Sequence, residues 1–176
     1  FPLGGGPRGR LPGGGTKEEI LAAVEAYAEA NPDLAWIEMG SWSADLYGVA
    51  GPHKRDLDRV VPDRPVMLGS VHNVWVNSVA LEMMGIDSNT PDPVPGLSYF
   101  VRDAAGEPTG WIKEWAAWPY AQHLIDVDRE SNKEGIDTFL EYLSSHGVTT
   151  LLDAGNNSFH DLTYSLLAEL EAAGRL

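Results

Sequence analysis

The sequence predicts an α/β protein, and three observations carry that prediction. Residues 131–176 read as helix, compact apolar strand, helix, which is half of a repeating α/β unit. Residues 16–125 mix short strands, short helices and Pro/Gly-rich loops, an α+β pattern. The chain has 176 residues, 43% of them hydrophobic, enough for one domain or slightly more around a buried core.

Residues 1–15, FPLGGGPRGRLPGGG, are mostly Gly and Pro, so backbone entropy and missing donors favour a linker or loop over a regular element. A phosphate-binding loop is the weaker reading, because no GxxxxGK[ST] occurs and no strand precedes it. Thr16 opens a helix with Glu19 completing a capping box; Ile20, Leu21, Val24 and Tyr27 form its apolar stripe, and Asn31-Pro32 ends it. Ala35–Met39 reads as a short strand and is followed by an irregular stretch rich in Gly, Ser and Trp. Pro65–Leu68, closed by Gly69 and Ser70, reads as a buried strand.

Residues 78–84 predict a short helix capped by Asn77 or Ser78 and stopped by Gly85. The proline-rich stretch from Thr90 to Gly96 is a loop, and Leu97–Arg102 with Thr109–Ile112 form a hairpin around Asp103-Ala104-Ala105-Gly106. Ser131 and Glu134 make a second capping box, Ile136, Phe139, Leu140 and Leu143 fall at helical spacing, and Gly147 is the stop. Val148–Leu152 is expected to be a strand buried on both faces. Leu162, Leu166, Leu167 and Leu170 mark the last helix. A single such unit can neither close a barrel nor build a doubly wound sheet.

Charge narrows the partners. Twelve Lys and Arg face 26 Asp and Glu, a formal net charge of -14, which argues against nucleic acid and against an anionic membrane surface. There is no cysteine, hence no disulfide, thiolate metal site or cysteine nucleophile. That fits a reducing compartment, and a cytoplasmic location is the expectation. No apolar run approaches the roughly 18 residues of a membrane span. The start at Phe1, without a charged and apolar leader, suggests a processed or excerpted chain.

The chemistry-bearing residues are sparse. His53, His72, His123, His146 and His160 stand in no H-x-H or H-E-x-x-H arrangement, so a complete metal site within this chain is not expected. G-x-S-x-G is absent, and no spacing singles out a carboxylate pair. Trp111, Trp115 and Trp118 cluster, while Trp36, Trp42 and Trp75 lie in strand or loop segments. These rings serve either as core or as an apolar wall for an organic substrate. Asp153 directly follows the Val148–Leu152 run, the place where α/β folds carry active-site groups, although it reads equally as a cap or turn residue of the Asp153-Ala154-Gly155 corner.

An ordered series of motifs over residues 16–176 resembles the amidohydrolase-3 group of the metal-dependent amidohydrolase superfamily. Trp36-Ile37 followed by Gly40-Ser41-Trp42-Ser43 is similar to its W-I-x-G-x-G-W segment, with Ser41 at a common glycine. Leu57 to Val66, LDRVVPDRPV, resembles its L-D-x-V-x-P-D-R-P-V stretch. His72 to Leu81, HNVWVNSVAL, resembles G-H-x-x-W-V-N-S-x-A-L, with Val71 at the usual glycine. Asp92-Pro93, Gly96, Arg102-Asp103, Gly106 to Gly110, Glu114, and Gly147-Val148-Thr149-Thr150 with Asp153 continue the order.

The resemblance implies a partial (β/α)8 (TIM) barrel segment with a large α+β insertion. Residues 1–15 are then a Gly/Pro-rich linker, 16–125 the insertion that shapes the substrate pocket, and 126–176 a barrel segment of helix, second strand and helix. The family's H-x-H pair would lie upstream of Phe1 and its later ligands beyond Leu176. A divalent metal, zinc by expectation, therefore belongs to a longer parent protein, and none is expected in this chain. In such enzymes the metal activates water and polarises a carbonyl, and an acid carries the proton to the leaving nitrogen.

No catalytic or metal-ligating residue is assigned here. His72 is expected to donate to the substrate, Trp75 to form an apolar wall, Glu114 to hold a polar group or loop, and Asp153 to border the pocket. The implied partners are a small organic amide-type substrate and the rest of the barrel, with no nucleic acid and no membrane. Two functions follow: part of a hydrolase of C–N bonds that is inactive alone, or a metal-free binding or regulatory module derived from one. The unpaired edge of a half-barrel strand predicts self-association.

Overall fold

In the computed structural model, which describes residues 9–12, 15–40, 42–70, 72–114, 116–121, 124, 129–152 and 160–175, the chain divides into two units, Phe1–Asp126 and Val127–Leu176. The first long helix of the first unit, α1 (Lys17–Ala30), starts where its cap dictates. Thr16 Oγ1 accepts from the Glu19 amide at 3.2 Å, and Glu19 Oε2 accepts from the Thr16 amide at 2.7 Å. Ile20, Leu21, Val24 and Ala28 form its buried face, so the predicted stripe holds with Tyr27 at its margin. The last turn has no basic residue of its own. Arg64 supplies one from a distance, donating to the carbonyls of Ala28 at 2.7 Å and Asn31 at 2.8 Å, two acceptors at the end of the helix.

Six strands make one sheet among the described residues of this unit: β1 (Gly9–Arg10), β2 (Ile37–Gly40), β3 (Val66–Gly69), β4 (Asn73–Val76), β5 (Phe100–Arg102) and β6 (Pro108–Lys113). Their spatial order is β1-β2-β3-β4-β6-β5, with β1, β2 and β3 parallel and every later pairing antiparallel. Gly9–Arg10 falls within the stretch expected to be linker. Glycine permits it: a Cβ on Gly9 would stand 2.9 Å from Met39 Cγ, so only a residue without a side chain reaches the pairing partner.

Alternation along the strands sorts the core onto two faces. Val66, Leu68 and Trp75 join a cluster with Ile20, Val24, Ile37, Met39 and Leu57. Met67, Val76 and Ile112 join another with Leu81, Met84 and Phe100. A strand buried on both sides reads as an unbroken apolar run, which is why Pro65–Leu68 was legible. Besides α1, three α-helices accompany the sheet among the described residues: α2 (Lys54–Val60), α3 (Ser78–Met84) and α4 (Trp118–Ala121). Asn77 caps α3 through the Ala80 amide, and Gly85 closes it at φ 68°, as the sequence predicts.

The hairpin of β5 and β6 turns where expected. Asp103 Oδ1 accepts from the amides of Ala105 at 2.9 Å and Glu107 at 3.0 Å, and these bonds hold its carboxyl below the ordinary carboxylate range. A depressed folded pKa means that the unfolded chain takes up the proton first. The turn's contribution is therefore complete above the unfolded value of 3.8 and is lost as pH falls through the lower folded one. Protection of the Ala105 and Glu107 amides, taken relative to intrinsic exchange at each pH, is expected to fall over that acid window in the wild type and to lose this pH dependence in Asp103→Asn. Equal acid profiles for the two proteins would refute the assignment.

The second unit contains α5 (Arg129–Ser145) and α6 (His160–Ala172) among its described residues. Helix α5 begins two residues before the predicted cap, so Ser131 lies inside its first turn. Gly147, at φ 77°, stops it: the Gly147 and Val148 amides return to the carbonyls of Ser144 and Leu143. Arg175 bridges to Asp137 at 3.0 Å and contacts Glu141, while Lys133 reaches Glu169 at 3.0 Å. Leu166 and Leu170 are buried; Leu162 and Leu167 are half-buried.

The predicted strand at Val148–Leu152 is not formed. These residues are irregular, and Val148, Leu151 and Leu152 are 41%, 60% and 87% exposed. They border a groove of about 680 Å³ that Leu140, Leu143 and Tyr164 also line. The reason is physical: a strand owes its extended order to ladder neighbours, and none of the described residues pairs with this one. Among the described residues, the barrel portion of the expectation accordingly appears as two helices without a strand. No described helix is long and apolar enough to cross a membrane.

Candidate functional site

Strands β4 and β6 run antiparallel with Asn73 opposite Lys113, Val74 opposite Ile112 and Trp75 opposite Trp111. Extending that register by one residue sets His72 opposite Glu114. The two are joined twice. The Glu114 amide donates to the His72 carbonyl at 3.0 Å, and His72 Nδ1 lies 3.0 Å from Glu114 Oε2. Sequence reading named both residues, and the sheet brings them together across 42 positions.

Beside this pair stand two residues that sequence reading missed. Asn73 Oδ1 accepts from Trp111 Nε1 at 2.9 Å and from Lys113 Nζ at 3.0 Å. The Lys113 ammonium also lies 3.6 Å from the centroid of the Trp111 ring, a close cation–π contact. Burial pushes the Lys113 pKa down, and the neighbouring Glu114 charge opposes that shift. Both residues were adjacent in sequence to named candidates; recognising residues 73–76 as a strand paired with 108–113 would have found them.

The Trp111 indole is also crowded by Gly51, which sits at φ 70°: a Cβ there would stand 2.0 Å from the ring. The indole thus packs against both a glycine backbone and an ammonium group.

Trp75 is completely enclosed. Its ring centroid lies 5.0 Å from that of Tyr47 and 5.8 Å from that of Trp42. Trp42 anchors the group by donating Nε1 to the Leu68 carbonyl at 2.7 Å. The Trp75 Nε1 and Tyr47 hydroxyl are buried without a hydrogen-bond partner, and burial, with Asp56 and Glu18 adding, raises the Tyr47 pKa. In this arrangement the Trp75 indole offers no surface to a small molecule and instead packs beneath the β4 strand that begins beside His72. Trp36 and Trp42 are likewise buried, whereas Trp111 and Trp118 are half-buried.

The remaining candidates lie elsewhere. Asp153, Trp115 and His123 are outside the described residues. His53 caps α2 by accepting from the Arg55 amide at 3.2 Å, and His146 Nδ1 lies 2.8 Å from the Tyr142 carbonyl. Among the described residues no three His, Asp or Glu side chains gather as metal ligands. The His72–Glu114 pair provides two such groups, bonded to each other. This donor set does not fit a hydrolytic metal centre.

Comparisons with known proteins give the family. The sequence matches the amidohydrolase family over residues 8–176. It is 31% identical over 173 residues to the exoenzymes regulatory protein AepA of Pectobacterium carotovorum subsp. carotovorum, covering 93% of this chain and 36% of that protein. It is 33% identical over 105 residues to the N-substituted formamide deformylase of Arthrobacter pascens, covering 58% of this chain and 19% of the enzyme. Among solved structures, an uncharacterized metal-dependent hydrolase from Pyrococcus horikoshii OT3 superposes with a TM-score of 0.55 at 22% identity. That match covers 95% of this chain and 30% of the hydrolase, and it bears on the fold alone. The chain spans about a third or less of the length of the relatives it matches. With the family match running through nearly the whole sequence, the chain belongs to the amidohydrolase family.

Proposed function

We propose that this chain is part of a metal-dependent hydrolase that cleaves amide-type C–N bonds, and that it contributes substrate-pocket wall rather than the metal centre. The observation that supports this reading is the family match across residues 8–176. The deformylase name of the Arthrobacter relative supports a C–N bond as the target. On this reading the divalent ion, zinc by preference, activates water on ligands that other parts of the protein supply. His72 contacts the substrate, Glu114 holds His72, Trp75 stiffens the strand behind them, and Asp153 is kept as a further substrate-binding candidate.

Residues 126–176 are proposed as a segment of a (β/α)8 barrel in which Val148–Leu152 becomes the second strand. The exposed apolar run between two helices supports that assignment, because flanking strands would bury it. A small organic amide and the remaining barrel strands are the proposed partners. A second reading, a metal-free regulatory module, is favoured by one observation: the Pectobacterium relative is named a regulatory protein.

The test uses the full-length gene product. Stoichiometric divalent metal, and hydrolysis of N-substituted formamides or acetamides that a chelator abolishes and zinc restores, are expected. Metal-free protein with no turnover on either substrate class would overturn the hydrolase and favour the regulatory module. The 176-residue chain alone is expected to show no hydrolysis even with added zinc.

A further inference from the structure

We propose that Glu114 is a positioning residue that locks His72 in its Nδ1–H form, so that Nε2 accepts a hydrogen bond from the N–H of a secondary amide substrate. This rests on the C–N hydrolase reading above and names the substrate class that the site selects. It also reverses the expectation that His72 donates to substrate.

The geometry supports the lock from three sides. First, an ionised carboxylate only accepts hydrogen bonds, so the 3.0 Å contact requires the proton on Nδ1. Which ring nitrogen of a histidine is protonated is set by the bond the other makes. When the ring is neutral its lone pair is then on Nε2, which has no partner among the described residues, on a side chain 68% exposed. Second, the adjacent Lys113 makes its hydrogen bond elsewhere. Lys113 is held by Asn73 and by the Trp111 ring, so Glu114 is left to the imidazole.

Third, Glu114 is the one non-glycine residue with positive φ among the described residues, at 53°. An L-residue in the left-handed region carries strain that glycine would relieve, and such strain persists where the surroundings enforce it, often at binding sites. Here the Glu114 amide is tied to the His72 carbonyl, which fixes the left-handed turn that delivers its carboxylate to the ring. Glycine would suit the backbone better and could not make the contact with the imidazole.

Glu114→Gly therefore separates positioning from structure. In this chain, the melting temperature of E114G is expected to stay the same or rise, while ring nitrogen-15 shifts show His72 moving from the Nδ1–H form to a mixture. A fall in melting temperature with an unchanged tautomer would overturn the assignment. These two measurements need no turnover, so they stand even where the hydrolase reading fails.

In the full-length enzyme, E114G and H72A are expected to lower kcat/KM for N-butylacetamide about ten- to a hundredfold, the usual effect of removing a partner that orients a functional histidine. N-Butyl-N-methylacetamide has no N–H and should be a poor substrate for wild type, with little further loss in either variant. Equal wild-type rates on the two amides, or equal losses on both, would overturn the substrate assignment.

Discussion

Asn77→Ala is expected to destabilise the first unit by about 4 kcal/mol, because the side chain serves four backbone groups that would be left unpaired in a dry site. Asn77 is fully buried. Its Oδ1 accepts from the amides of Val66 and Ala80, both at 3.0 Å, and its Nδ2 donates to the carbonyls of Val61 at 3.1 Å and Arg64 at 2.8 Å. One amide side chain thus caps α3, holds the first residue of β3 and fastens the 61–64 loop. An ordinary N-cap contributes about 1 kcal/mol; the excess comes from the other three bonds. Asn77→Asp keeps the acceptor but aims a carboxylate oxygen at two carbonyls, so it should not rescue. The check is the urea midpoint read by fluorescence, at unchanged m-value. A loss below about 1 kcal/mol would mean that the site relaxes or admits water.

Gly110→Ala should cost about 3 kcal/mol or more, from a clash that side-chain motion cannot relieve. Gly110 has φ 89°, and a Cβ there would lie 2.3 Å from the Val76 carbonyl oxygen and 2.9 Å from Lys54 Cβ. The first obstacle is backbone of the neighbouring strand, so relief means separating β4 from β6 or moving α2. Gly51→Ala makes a useful contrast. Its Cβ would meet the Trp111 ring at 2.0 Å, a side chain that can swing away, but doing so breaks the bond to Asn73 and the contact with Lys113. G110A is therefore expected to lower the unfolding midpoint more than G51A, and G51A to disturb the His72–Glu114 neighbourhood more than its modest midpoint change suggests. A midpoint for G110A at or above that of G51A would contradict the backbone argument.

Much of this architecture is legible in the residues themselves. Thr16 with Glu19, the capping bond of Asn77 with the Gly85 stop, and the Asp103–Gly106 turn are local devices, closed within a few positions, and each appears where the pattern puts it. Helix α2 was not predicted because KRDLDRV buries only Leu57, and a single inward residue leaves no periodic signal. Strand β4 was missed because Asn73–Val76 spans four residues and owes its place to partners 5 to 9 positions before and 36 to 40 after, the latter beyond any local window. The Val148–Leu152 run fails in the opposite sense. Its residues have the propensity for a strand, but propensity without a ladder does not make one. At the candidate site, His72 and Glu114 could be named from motif resemblance, yet their meeting depends on the β4–β6 register. Asn73 and Lys113 gain their roles only through it.

The division at Asp126 has a spectroscopic consequence. All six tryptophans of the chain precede it, and the 50 residues that follow hold only tyrosine and phenylalanine among the large aromatics. Indole emission during denaturation consequently reports the sheet-containing part alone, while far-ultraviolet ellipticity also registers the melting of α5 and α6. Coincidence of the two curves would mark one cooperative transition; displacement would measure how independently the helical pair comes apart.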